Sequence, residues 1–116
     1  MMKTIKGSIA AGKTTTLVKM LNELEGKTLL VQNDTIPEFI FSDYGYKGDL
    51  LTIGWDVENL FFYTTEPYVN IGVDLHGLTK EKKETALNIL KLYAGNEDTN
   101  FIVTEYAEGS KYLEVV

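Results

Sequence analysis

Apolar residues change their spacing several times along this chain, and each change marks an element. Met1–Lys6 (MMKTIK) carries Met1, Met2, Thr4 and Ile5, enough for a short strand. Gly7–Gly12 (GSIAAG) is a loop of small residues. From Thr14 to Leu24 the positions Leu17, Val18, Leu21 and Leu24 fall at helical spacing, and Gly26 stands where a glycine stops a helix. Thr28–Gln32 (TLLVQ) is a short apolar run of the kind buried in a parallel sheet. The first 33 residues therefore spell strand, glycine loop, helix, strand, one βαβ unit of ~30 residues.

The middle is less regular. Pro37, Gly45, Gly48 and Gly54 punctuate two apolar runs, Phe39–Phe41 and Leu50–Ile53. Two strands are predicted next, Leu60–Tyr63 and Tyr68–Val73, and Asp74 ends the second. A helix follows from Lys80 to Ala94, with Thr79 as N-cap, Ala86, Leu87, Leu90, Tyr93 and Ala94 on one face, and Gly95 closing it. Phe101–Tyr106 and Lys111–Val116 flank Ala107–Ser110 (AEGS), which predicts a C-terminal β-hairpin. The expectation is a single α/β domain over residues 1–116, a compact three-layer sheet with two main helices and that hairpin.

Composition narrows the chemistry. The 116 residues hold no cysteine and one histidine, His76, which excludes disulfides, a cysteine nucleophile, Cys-ligated zinc and a multi-histidine metal site. All 11 basic residues are lysines, so no guanidinium fork for phosphate or guanine is available. The net charge of −6 is unevenly placed. Residues 1–33 carry five lysines against Glu23 and Glu25, a local +3, while residues 34–116 carry six lysines against fifteen acids, a local −9. Direct nucleic-acid binding is disfavoured by that balance. No apolar run approaches the ~18 residues of a membrane span, and Met1–Lys6 lacks the pattern of a secretory signal, so a cytoplasmic protein is expected.

The basic end holds the one strong motif. Gly7-Ser8-Ile9-Ala10-Ala11-Gly12-Lys13-Thr14 matches G-x-x-x-x-G-K-[ST] in full, between a predicted strand and a predicted helix. Glycines let the backbone wrap close to an anion with successive N–H groups pointing inward, and the next helix adds its dipole and unpaired amides. The segment resembles the phosphate-binding loop of the P-loop NTPase superfamily. That resemblance implies a P-loop-like fold that binds ATP or GTP with Mg²⁺ through residues 7–14 and Thr15. Lys13 would reach the β- and γ-phosphates and Thr14 the metal. It also implies a magnesium-side carboxylate at the end of an apolar strand. Asp74, after Val69, Ile71 and Val73, fits that place best, with Asp56 after LLTIGW as its rival.

Departures from the family pattern bear on turnover. Neither Asp74 nor Asp56 is followed by the glutamate that many ATPases of the superfamily use to activate water; Leu75 and Val57 stand there. Asp34 and Glu105 are weaker candidates for positioning water, and His76 could face the γ-phosphate. Ser8 occupies the place of the second loop lysine found in one branch of the superfamily. Without arginine there is no finger in cis, a contribution worth ~10³–10⁵ in rate where it exists. The resemblance thus implies an NTPase or kinase-like phosphotransferase with Lys13 and Asp74 in catalytic roles. Its hydrolysis or phosphoryl transfer would be slow, or completed by a protein partner or a second copy of the chain. The alternative is a non-catalytic acidic module with Tyr44 and Tyr46 beside Asp43 and Asp49. Such a surface could inhibit a nucleic-acid-handling host protein on behalf of a virus or mobile element.

Overall fold

The computed structural model describes residues 1–8, 12–33, 37–53, 68–75, 79–94, 98–109 and 112–116, with residues 92–94 by backbone only. The strands are β1 (Met2–Gly7), β2 (Thr28–Gln32), β3 (Asp49–Thr52), β4 (Asn70–Asp74), β5 (Asn100–Tyr106) and β6 (Glu114–Val115). The helices are α1 (Lys13–Glu23), α2 (Glu38–Asp43) and α3 (Lys80–Ala94). The predicted strand over Leu60–Tyr63, Gly95 and the side chains of Tyr93 and Ala94 lie outside the described residues.

The strands form a six-stranded sheet in the order β3-β2-β4-β5-β1-β6. The first five run parallel, and only β6 is antiparallel, on the outer edge of β1. Alternation along each strand splits the core into two clusters. On one face Ile5, Leu30 and Ile102 pack with Leu17, Val18 and Leu21 of α1 and Phe41 of α2. On the other, Leu29, Val31, Ile71, Val73, Phe101 and Val103 pack with Ala86, Ile89 and Leu90 of α3. The expected three layers are present, with α2 as a third helix formed by the run Phe39–Phe41.

The C-terminal hairpin is not. Phe101–Tyr106 and Lys111–Val116 were expected to pair with each other, but β5 is already bonded on both sides, to β4 and to β1. The free edge belongs to β1, so the chain crosses the end of that strand and β6 pairs there, Ile5 with Val115 and Lys6 with Glu114. Turn signals between two strands predict a hairpin only where the first strand keeps an open edge.

Local chemistry explains where the helices begin. Thr79 caps α3, its hydroxyl accepting from the Lys82 N–H at 3.3 Å. Helix α1 starts instead from Gly12, held at φ 83° and ψ 25°, a left-handed conformation that glycine adopts without steric cost. At its other end α1 stops at Glu23 with Leu24 already extended, and Gly26 serves the turn into β2 rather than the cap itself. Asn70, fully buried, ties that turn down by donating to the Glu25 carbonyl at 2.9 Å and to Thr28 Oγ1 at 3.1 Å.

Close approach of α1 to the sheet depends on Gly72. A Cβ there would lie 2.5 Å from Leu21 Cδ1 and 3.2 Å from Leu17 Cδ1. Gly72→Val is expected to lower stability by about 1–3 kcal/mol, read as a reduced urea midpoint, because α1 must back away from β4. An unchanged midpoint would show that α1 is not seated against β4 in this way. A second prediction concerns Tyr46, whose hydroxyl donates to the Asp49 carbonyl at 2.6 Å. Burial, then the Asp49 charge, pushes this phenol well above its ordinary 10.0. The unfolded chain therefore loses that proton first, and stability falls as pH rises above about 10. In Tyr46→Phe the fall of the urea midpoint between pH 9 and 11 should be smaller than in the parent.

Candidate functional site

Parallel strands end on the same side, so the carboxyl edge of this sheet gathers the last residue of each. Helix α1 follows β1 onto one face and α3 follows β4 onto the other, the change of face beside which open α/β sheets commonly place their ligand sites. Into that edge project Thr52 of β3, Gln32 of β2, Asp74 of β4 and Thr104 of β5. By strand alternation all four share the α1 face with Leu30 and Ile102. Gln32 Nε2 donates to Thr52 Oγ1 at 3.0 Å, and Thr52 Oγ1 donates to Glu38 Oε1 at 2.8 Å.

The centre of the row is Asp74, 1% exposed. Thr14 Oγ1 at the start of α1 donates to one carboxylate oxygen at 2.7 Å, and Thr104 Oγ1 donates to the other at 2.8 Å. Two residues 60 apart in sequence and predicted to share a metal are thus in direct contact. Lys13 is nearly as buried, at 5% exposure, and its ammonium donates to the carbonyls of Gly7 at 3.0 Å and Ser8 at 2.6 Å. It also lies 5.9 Å from the Tyr106 ring centroid. Desolvation holds the Lys13 pKa below its ordinary 10.5; the Asp74 charge opposes that shift and the Lys83 charge adds to it.

The other expected residues divide. Gly7 is buried at the end of β1, where its carbonyl also accepts from the Ala107 N–H at 2.9 Å, and Gly12 caps α1. Ser8 contributes its carbonyl to Lys13, and Thr15 is exposed in the first turn of α1. Ile9, Ala10, Ala11, Asp34, Asp56 and His76 lie outside the described residues. Glu105 is exposed and alternates onto the face opposite Thr104, away from Thr14 and Asp74. Of the acidic aromatic surface, Asp43 and Tyr44 are exposed, whereas Tyr46 packs against the core and Asp49 accepts the Tyr68 hydroxyl at 2.7 Å.

Two members of this neighbourhood were not anticipated. Thr104 had a usable signal: it is a polar residue at the inward phase set by Ile102, where an apolar side chain is the rule. Lys83 had none, because its part in the site depends on tertiary placement. From α3 its ammonium reaches over the edge to the Thr104 carbonyl at 3.3 Å.

The pair Thr14 and Asp74 supplies a hydroxyl and a carboxylate, the oxygen ligands that Mg²⁺ takes when it binds through few protein groups plus phosphates and water. Among the described residues no cluster of three or more acidic or histidine side chains offers an all-protein cage. Thr104→Val removes one of the two hydroxyls on a buried carboxylate and is expected to cost about 1.5–3 kcal/mol in urea unfolding. Thr104→Ser should recover most of it. Equal stability of the valine variant and the parent would show that Thr104 does not hold Asp74. No protein-family model and no curated protein matches the chain, so what the site does is argued from its own residues.

Proposed function

We propose that the chain binds a nucleotide, ATP or GTP with Mg²⁺, by its phosphates at the loop Gly7–Thr14. Slow or partner-completed phosphoanhydride hydrolysis or phosphoryl transfer would follow. The observation that carries this reading is the contact of Thr14 with Asp74 at 2.7 Å beside a buried Lys13. A structural turn with a solvated lysine has no use for a desolvated ammonium next to a buried carboxylate.

Each group has a task that follows from its chemistry. The start of α1 offers unpaired amides and the positive end of its dipole to an anion. Lys13, now satisfied by its own loop carbonyls, is a flexible point charge that can turn from them to a phosphate oxygen. Thr14 and Asp74 would hold the metal, which supplies charge neutralisation on the phosphates. Thr104 keeps the Asp74 carboxylate aimed at Thr14. Lys83 places a second cation at the same edge, the nearest equivalent of the missing arginine. A lysine lacks the fork that clamps a transferring phosphoryl group, which supports slow turnover by the chain alone. The acidic surface alternative is less well supported, since Tyr46 packs against the core and donates to the Asp49 carbonyl, while the exposed Asp49 carboxylate accepts from Tyr68.

Calorimetry with ATP, GTP and their diphosphates, with and without Mg²⁺, tests the reading. Lys13→Ala is expected to weaken triphosphate binding at least tenfold, and Asp74→Asn to remove its dependence on Mg²⁺ while leaving a folded chain. Binding as tight in Lys13→Ala as in the parent would refute the phosphate loop.

A further inference from the structure

Helix α3 begins at the carboxyl edge on the face opposite α1, and Lys83 stands in its first turn. Among the described residues the Lys83 ammonium makes one hydrogen bond, to the neutral Thr104 carbonyl at 3.3 Å. An ammonium carries three donors, so two remain for a further acceptor. No acid stands one turn away to take them: the positions three and four removed are Thr79, Lys80, Ala86 and Leu87. Lys83 is nevertheless half-buried, whereas its neighbours Glu81, Lys82 and Glu84 are exposed. A lysine that serves solubility alone extends its head into water; this one is turned onto the edge of the sheet.

That edge is the one that holds Asp74. Thr104 stands one residue past the last β4–β5 pair, Val73 with Val103, and its hydroxyl donates to Asp74 at 2.8 Å. One residue therefore touches Asp74 by its side chain and Lys83 by its carbonyl. Lys13 is tied to the end of β1 through the Gly7 carbonyl, and Lys83 to β5, on the Asp74 side of β1. Taking the phosphate-loop reading as its basis, we infer that Lys83 contacts the terminal phosphate of the ligand, so that the chain discriminates nucleoside triphosphates from diphosphates. A triphosphate whose metal-bound end lies at Thr14 and Asp74 brings its last phosphate to the β4 and β5 side of the edge, where Lys83 has donors available. Lys13 serves the phosphates over the loop. A diphosphate ends short of Lys83 and gains nothing from it.

The test is calorimetry with two matched pairs, the β,γ-imido analogue of ATP against ADP and tripolyphosphate against pyrophosphate, all with Mg²⁺. It is run on the parent, Lys83→Met, Lys83→Gln, Lys83→Arg and Lys91→Met, each with a urea midpoint showing it folded. Lys91→Met removes the same charge from the exposed last turn of α3. Loss of one charge-assisted hydrogen bond, ~1.5–3 kcal/mol, predicts a roughly 10- to 150-fold loss of affinity for both triphosphate ligands in Lys83→Met and Lys83→Gln. Affinity of these variants for ADP and pyrophosphate should stay within about threefold of the parent, as should all affinities of Lys91→Met, because a distant charge is screened. Lys83→Arg keeps the charge and should stay within about tenfold of the parent for every ligand. Equal weakening of di- and triphosphates in Lys83→Met and Lys83→Gln, or no weakening, overturns the assignment and leaves the phosphate loop standing. So does an equal loss in Lys91→Met, or a parent that binds both members of each pair alike. Failure of the parent to bind any of the four ligands overturns the phosphate loop, and the assignment with it.

Discussion

A carboxylate that is 1% exposed must be satisfied by hydrogen bonds, and much of this molecule's carboxyl edge is arranged around that need at Asp74. Its two oxygens accept from Thr14 and Thr104, which belong to α1 and β5. Thr14 can reach it only because α1 begins directly above the sheet, and α1 can lie so low only because β4 carries Gly72 beneath Leu17 and Leu21. One buried charge therefore joins the start of α1, the end of β4 and the end of β5. Nothing about core packing alone requires an ionisable group there, since replacing buried charge by apolar volume is often neutral or stabilising.

The order of strands follows from the same economy of size. Five parallel strands fit into 116 residues because the strands are short, four to seven residues, and because α2 is only six residues long. Chain returning after β5 finds both edges of that strand used and closes the open edge of β1 with two residues of β6. An antiparallel edge on a parallel sheet is common, and here it has a positional effect. It brings Leu113 against Gly12 and fixes the last described segment beside the loop.

Local periodicity made most of this legible. The helical spacing of Leu17, Val18 and Leu21 and the capping Thr79 predicted α1 and α3, and TLLVQ predicted β2, because these signals are contained in a few neighbouring residues. The motif over Gly7–Thr14 and the strand ending at Asp74 pointed to residues that the fold places in contact. What failed, or was missed, depended on partners far away in sequence. Pairing of β6 was decided by which strand had a free edge, and Phe39–Phe41 became a helix rather than remaining unassigned. Lys83 entered the neighbourhood only because α3 packs on the face opposite α1. Glu105 shows the finer limit: in a strand, one position decides the face, and Thr104 was the residue to choose.

Absence of arginine has a different meaning once the charges have positions. A net charge of −6 repels a nucleotide, and residues 34–116 alone contribute −9. On the proposed reading, recognition of phosphate would be short-ranged, made by backbone amides at the start of α1 and by lysines near the edge rather than by a long-range field. Lys13 is partly stripped of water, so its charge acts in a medium of lower dielectric where each ångström counts for more. After desolvation, the Asp74 charge opposes and the Lys83 charge adds to the lowering of the Lys13 pKa. On the proposed reading, Lys13 and Lys83 would both act on a bound phosphate as point charges. Point charges on flexible stems can hold the ground state in this way while lacking the planar geometry that a transferring phosphoryl group demands. If the chain binds a nucleotide as proposed, its composition suits holding that nucleotide better than turning it over quickly.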